Sequence, residues 1–134
     1  MIDASVALAW CFPDEASEYA DAVLVALESR EVVVPSIWAV EVANALLVGE
    51  RRKRILKQDI LRFGELLKGL SIFEELIPVT ETLNTLLPLA RQYGLSTYDA
   101  AYLGLAVRHG VPLATLDAAL QKAADATGIR RFKV

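Results

Sequence analysis

A chain of 134 residues that is 54% hydrophobic is long enough for one folded domain, spanning 1–134, with a sizeable core; no stretch has the composition of a disordered segment. No apolar run approaches the roughly 18 residues a membrane span needs, cysteine occurs once, and "MIDASVALAWCF" has an acid where a leader peptide has bases; a cytoplasmic chain without disulfide, span or signal peptide is expected. The net charge of −3 argues against a nucleic-acid partner only if the charge is evenly spread.

In chain order, "MI" reads as the end of a first strand that stops at Asp3. With only two residues ahead of Asp3, either that strand is very short or the chain as written begins after its natural start. A helix over 4–11 follows, then one over 15–29, and "EVVVP" (31–35) reads as a buried parallel strand because it is short and β-branched. Helices are expected over 36–49, 56–69, 80–93, 97–109 and 117–126. Further strands are expected at "LIPV" (76–79), "VPLAT" (111–115) and "IRRFKV" (129–134). Gly94, Gly110 and Gly128 stand where helix C-terminal glycines stand. This alternation predicts a three-layer α/β/α sandwich around a central, mainly parallel sheet, with ligands at the carboxyl ends of the strands.

Four acids fall on that rim. Asp3 and Asp117 each follow a strand and precede a helix, so either could be a plain N-cap. Asp99 stands three residues after Ser96, the spacing of a capping box. Glu41 is harder to explain structurally. It lies in "SIWAVEVANALLV" among Trp38, Val40, Val42 and Ala45, with Asn44 as its one polar companion on that face and no base nearby in sequence. Caps do not require acids, so the structural explanation is weaker for the four together than for any one. A cluster of carboxylates repels itself unless a cation neutralises it, and oxygen-only ligands suit Mg²⁺ or Mn²⁺ rather than Zn²⁺. Ser5, Asn44, Ser96 and Thr115 are polar neighbours able to orient the acids. Sites of this kind support phosphodiester hydrolysis. Cys11, between Trp10 and Phe12, reads as a small core residue, and His109 as a helix-end residue rather than a base.

Taken together, "IDASVALAW", "VPSIWAVEVANAL", "LSTYDAAYLGLAVRHGVPLATLDAAL" and "KAADATGI" resemble the PIN-domain ribonucleases, specifically the VapC-type toxins of toxin–antitoxin pairs. The resemblance implies a PIN-like sandwich, a catalytic and metal-holding quartet of Asp3, Glu41, Asp99 and Asp117, and supporting roles for Ser5, Asn44 and Thr115. Ser96 stands where that family usually has Thr. It further implies a Mg²⁺- or Mn²⁺-dependent endoribonuclease, an RNA substrate, a cognate antitoxin protein that silences it, and a homodimer.

The charge is not evenly spread. "GERRKRILKQDILRFGELLKG" sets Arg51, Arg52, Lys53, Arg54, Lys57, Arg62 and Lys68 against Glu50, Asp59 and Glu65, a local excess of four positive charges. A solvated helix–helix turn explains it; a phosphate-steering patch around Arg51, Arg52 and Arg54 is the functional alternative. No aromatic-rich stacking platform is visible in the sequence. Two other functions compete with the enzyme. A signalling receiver domain would need paired acids at the first strand and a lysine after the last, which this chain lacks. A catalytically silent module that uses the acidic pocket to hold an antitoxin remains open.

Overall fold

The computed structural model describes residues 1–134. Its continuous sheet is two parallel strands, β1 (Glu31–Pro35) and β2 (Ser71–Glu75), in register from Glu31↔Ser71 to Pro35↔Glu75. Three further segments lie parallel through single bridges, Ile2↔Ala114 and Leu113↔Arg131. Backbone bonds from Asp3 N–H to the Ala114 carbonyl (3.1 Å) and from Ala114 N–H to the Met1 carbonyl (2.9 Å) set the first acid against the segment leading to Asp117.

Eight helices surround these strands: α1 (Ala4–Ala9), α2 (Glu18–Leu27), α3 (Ile37–Arg51), α4 (Lys57–Lys68), α5 (Val79–Glu81), α6 (Leu87–Tyr93), α7 (Thr97–His109) and α8 (Ala118–Ala126). A core of 26 buried residues runs through all but the α5–α6 corner, where Leu86, Ala90, Ala100 and Ala101 form a smaller cluster. Helix α1 packs on α2 and α3, while α7 packs on β1, α6 and α8. The expected α/β sandwich is thus present, and α7 occupies the residues predicted for it.

Two expectations need correction. The strand expected at 76–79 is β2, five residues earlier, and Leu76 and Val79 are each 76% exposed. Pro78 has no N–H to give a ladder and caps α5 instead. Beta2 has no strand on its outer side, and its Glu74 and Glu75 are the charges that discourage edge pairing, which conceals it from a search for apolar runs. The helix expected over 80–93 is interrupted by a π-turn at Thr82–Leu86 just before Pro88, whose missing N–H cannot close an α-helical bond. Gly94 and Gly110 close α6 and α7 at φ 65° and 62°, left-handed conformations that suit glycine.

Candidate active site

Three of the four acids stand at helix N-termini, and Glu41 lies inside α3. Asp3 caps α1, its Oδ1 accepting from the Val6 N–H at 3.2 Å. Asp117 caps α8, its Oδ1 accepting from the Leu120 N–H at 2.8 Å. Ser96 caps α7 by accepting from the Asp99 N–H at 3.0 Å, and its hydroxyl donates to Asp99 Oδ2 at 2.6 Å. The N-cap readings of Asp3 and Asp117 are therefore correct as geometry, whereas Asp99 closes no reciprocal capping box, because its carboxylate takes the Ser96 hydroxyl rather than the Ser96 N–H. They do not exclude function, since a cap uses one carboxylate oxygen. Oδ2 of Asp117, Oδ1 of Asp99 and Oε1 of Glu41 accept no hydrogen bond within the chain.

Asp3 is the most constrained. It is 4% exposed, and two hydroxyls converge on it: Ser5 donates to Oδ1 at 2.7 Å and Thr115 to Oδ2 at 2.5 Å. Both hydroxyls accept a backbone N–H, Ser5 from Leu116 and Thr115 from Asp117, each at 2.9 Å. Their protons are thereby directed at Asp3, so the arrangement is built for a carboxylate there. Burial nevertheless pushes its pKa up to about 6, with the three hydrogen bonds pulling down and nearby Glu41 pushing further up.

Glu41, half-buried on α3, accepts a 2.6 Å hydrogen bond from the Tyr102 hydroxyl of α7. Its pKa is raised, first by burial and then by Asp99, against the pull of Tyr102. Burial, followed by the bond to Glu41, holds the Tyr102 phenol far above its ordinary range, so it stays a donor. Tyr102 was missed in the sequence because its position in "YDAAYLGLA" reads as core, and at 1% exposure it is core. Its distance in helical phase from Asp99, three residues, is the signal that would have found it. Asn44, expected to orient Glu41, is exposed and makes no hydrogen bond to it.

The four acids are thus linked in series: Thr115 joins the Asp117 N–H to the Asp3 carboxylate, Asp3 feels the charge of Glu41, and Glu41 feels that of Asp99. None is paired with a lysine, arginine or histidine; every salt bridge lies elsewhere. No three of these carboxylates converge closely enough to enclose an ion by themselves. The donor set still fits a hard divalent cation: it is all oxygen, it lacks a compensating charge, and Mg²⁺ takes one or two carboxylates and keeps several waters.

The basic run is divided. Arg54 is held by Asp14 and Glu15 at 2.9 and 2.6 Å and lies over the Phe12 ring, so it is committed to the scaffold. Arg51 and Arg52 stay exposed and unpaired, but the helix rise sets Arg51 about 15 Å from Glu41, beyond one screening length. Lys122 and Arg131 were not singled out in the sequence, yet they line a groove with Thr115 and Asp117. Cys11 is partly buried, and burial raises its thiol pKa. His109 ends α7 and pairs with Glu75 at 2.6 Å, away from the acids.

The PIN domain profile matches residues 1–126. The chain belongs to the PIN-domain family. Within that family it is 34% identical over 120 residues to Ribonuclease VapC3 of Pyrobaculum aerophilum, covering 87% of this chain and 88% of that relative. This PIN domain also superposes on the crystal structure of PAE2754 from Pyrobaculum aerophilum with a TM-score of 0.66 and 25% identity, covering 91% of this chain and 76% of that one. It is of the VapC type, and no helix in it is long and apolar enough to cross a membrane.

Proposed function

We propose that this PIN domain is a metal-dependent endoribonuclease, the toxin of a toxin–antitoxin pair, hydrolysing RNA phosphodiester bonds at Asp3, Glu41, Asp99 and Asp117. The observation that carries this reading is four carboxylates without a basic partner, in which Asp3 feels the charge of Glu41, Glu41 feels that of Asp99, and Asp117 is tied to Asp3 through Thr115; three of the four keep an oxygen free of protein hydrogen bonds. The family relation to Ribonuclease VapC3 supports the same substrate class.

A Mg²⁺ or Mn²⁺ ion bound there would neutralise charge on the phosphate and make water a better nucleophile. Asp3 and Asp99 would hold it, with Glu41 and Asp117 completing the site. The chain's own contribution is orientation. Ser5, Thr115 and Val6 fix Asp3 in one rotamer, Ser96 fixes Asp99, Tyr102 fixes Glu41, and the Leu120 N–H fixes Asp117. Glu41, with its raised pKa and one open oxygen, is suited to hold the attacking water and accept its proton. Hydrolysis by external water leaves a 5′-phosphate and a 3′-hydroxyl. Lys122 and Arg131 beside Asp117 supply positive charge for the RNA backbone at closer range than Arg51 and Arg52, so salt dependence is expected to follow the first pair more than the second.

An antitoxin protein and self-association complete the proposal. The partly apolar cleft of Trp10, Cys11, Phe63 and Leu66 between α1 and α4 supports the first, and exposed Phe73, Leu76, Val79 and Leu83 beyond the sheet edge support the second. The decisive experiment incubates the purified, antitoxin-free chain with a fluorescent RNA pool and Mg²⁺ or Mn²⁺, alongside EDTA and Asp99→Asn controls. Cleavage that disappears in both controls is expected. Absence of cleavage with either metal, from folded protein, would leave the silent binding module as the better reading; 2′,3′-cyclic ends would refute the hydrolytic mechanism.

A further inference from the structure

Beside the acids lies an open pocket of about 510 Å³ lined by Ser36, Ile37, Val40, Glu41, Asn44 and Tyr98. On α3, residues 37, 40, 41 and 44 share one helical face. That face is met by Tyr98 from the first turn of α7, the residue preceding Asp99. Val40 is 71% exposed and Tyr98 59%, and the Tyr98 hydroxyl and the Asn44 carboxamide make no hydrogen bond within the chain. The pocket thus brings together an exposed aromatic side chain, the aliphatic Val40 and Ile37, a carboxamide without a partner in the chain and the Glu41 carboxylate.

We infer that this pocket is a nucleobase subsite, in which the base adjoining the scissile phosphate stacks on Tyr98 against Val40 and offers its edge to Asn44. The inference rests on the ribonuclease reading above. Charge decides which part of the RNA enters. Phosphate is repelled by Glu41, whereas a base is neutral, presents π-faces to an aromatic ring, and carries donors and acceptors that match a carboxamide. An apolar side chain from a protein partner could fill the same volume but would make no use of the Asn44 amide, whereas a base edge does. The platform escaped sequence inspection because Tyr98 is a lone aromatic there and its facing residues lie on a distant segment.

The test uses 5′-fluorescein single-stranded RNA whose cleavage site has been mapped, with binding read by anisotropy in EDTA and cleavage read with Mn²⁺. A matched oligonucleotide carries an abasic ribose beside the scissile phosphate. Tyr98→Ala is expected to weaken binding and raise KM about 5- to 100-fold for the intact RNA, while Tyr98→Phe and Tyr98→Trp stay within about twofold, as stacking requires. The abasic RNA is expected to bind the wild-type chain as poorly as the intact RNA binds Tyr98→Ala, and Tyr98→Ala is expected to cause it no further loss. Thermal melts of each variant exclude misfolding. If wild type cleaves and Tyr98→Ala matches it in both assays, or if Tyr98→Ala harms the abasic RNA equally, the subsite is wrong and the nuclease reading stands. If Tyr98→Ala loses only antitoxin affinity, the pocket belongs to the protein partner and the inference fails. If wild type cleaves no RNA with either metal, the nuclease reading fails and the subsite falls with it.

Discussion

At the scale of single residues, the site depends on which hydroxyl proton points at which carboxylate. Tyr102 donates to Glu41 at 2.6 Å from a fully buried ring, so Tyr102→Phe removes the bond while keeping the packing. We expect about a 10- to 100-fold loss in Mn²⁺ affinity by calorimetry or in kcat, with KM for RNA little changed. Unchanged metal affinity and kcat would show that Glu41 needs no orienting. Thr115 is more exacting, because its hydroxyl accepts from the Asp117 N–H and donates to Asp3. Thr115→Val keeps the shape but leaves that N–H and Asp3 each short of a partner, costing about 1–3 kcal/mol of stability, and Thr115→Ser should restore most of it. Chemical denaturation of the three proteins settles the point. The acids themselves were legible in the sequence because carboxylates at strand ends and in an apolar helix demand explanation. Tyr102 was not, because a buried tyrosine in an apolar helix is ordinary until its hydroxyl partner is known.

At the scale of elements, close approach explains choices that propensity alone would reverse. Gly49 lies inside α3, where alanine is the better helix former by about 1 kcal/mol. A Cβ there would stand 2.4 Å from the buried Phe12 ring, over which Arg54 also lies at 4.4 Å. Overpacking should win, so Gly49→Ala is expected to destabilise by about 1–3 kcal/mol in urea titration. A neutral or stabilising result would mean that the ring shifts freely. The same elements show what sequence could reveal of the fold. Helix α7 was readable end to end, because Ser96 starts it and Gly110 stops it with local chemistry. Strand β1 was readable because Val32 and Val34 are buried. Strand β2 was not, since its partner lies only on one side and it ends in two glutamates that resemble a loop. The break in the 80–93 helix was marked by Pro88, but the π-turn that absorbs it is a tertiary solution.

At the scale of the whole molecule, the acidic cluster sets the fold against its function. Burial raises the Asp3 pKa from 3.8 to about 6. Below pH 3.8 both folded and unfolded chains hold this proton; between pH 3.8 and 6 the unfolded chain releases it first, so stability falls as pH rises and is lost above 6. The shift corresponds to about 3 kcal/mol. Comparing the chain with Asp3→Asn in EDTA isolates this contribution. The variant's altered hydrogen bonds add a constant offset, and the Met1 amino group, lowered to about 6 by burial, has an opposite slope that cancels because both proteins retain it. Denaturation from pH 4 to 7.5 should therefore show wild type losing up to about 3 kcal/mol relative to the variant. Saturating Mg²⁺, bound as proposed at the folded carboxylates, would compete with protons, so it should raise the wild-type Tm more at pH 7.5 than at pH 5, at about 4 °C per kcal/mol. The variant should gain much less at either pH. Equal Mg²⁺ shifts in the two proteins would place the ion elsewhere; a flat pH difference in EDTA would mean that Ser5, Thr115 and Val6 already offset the cost of burying Asp3.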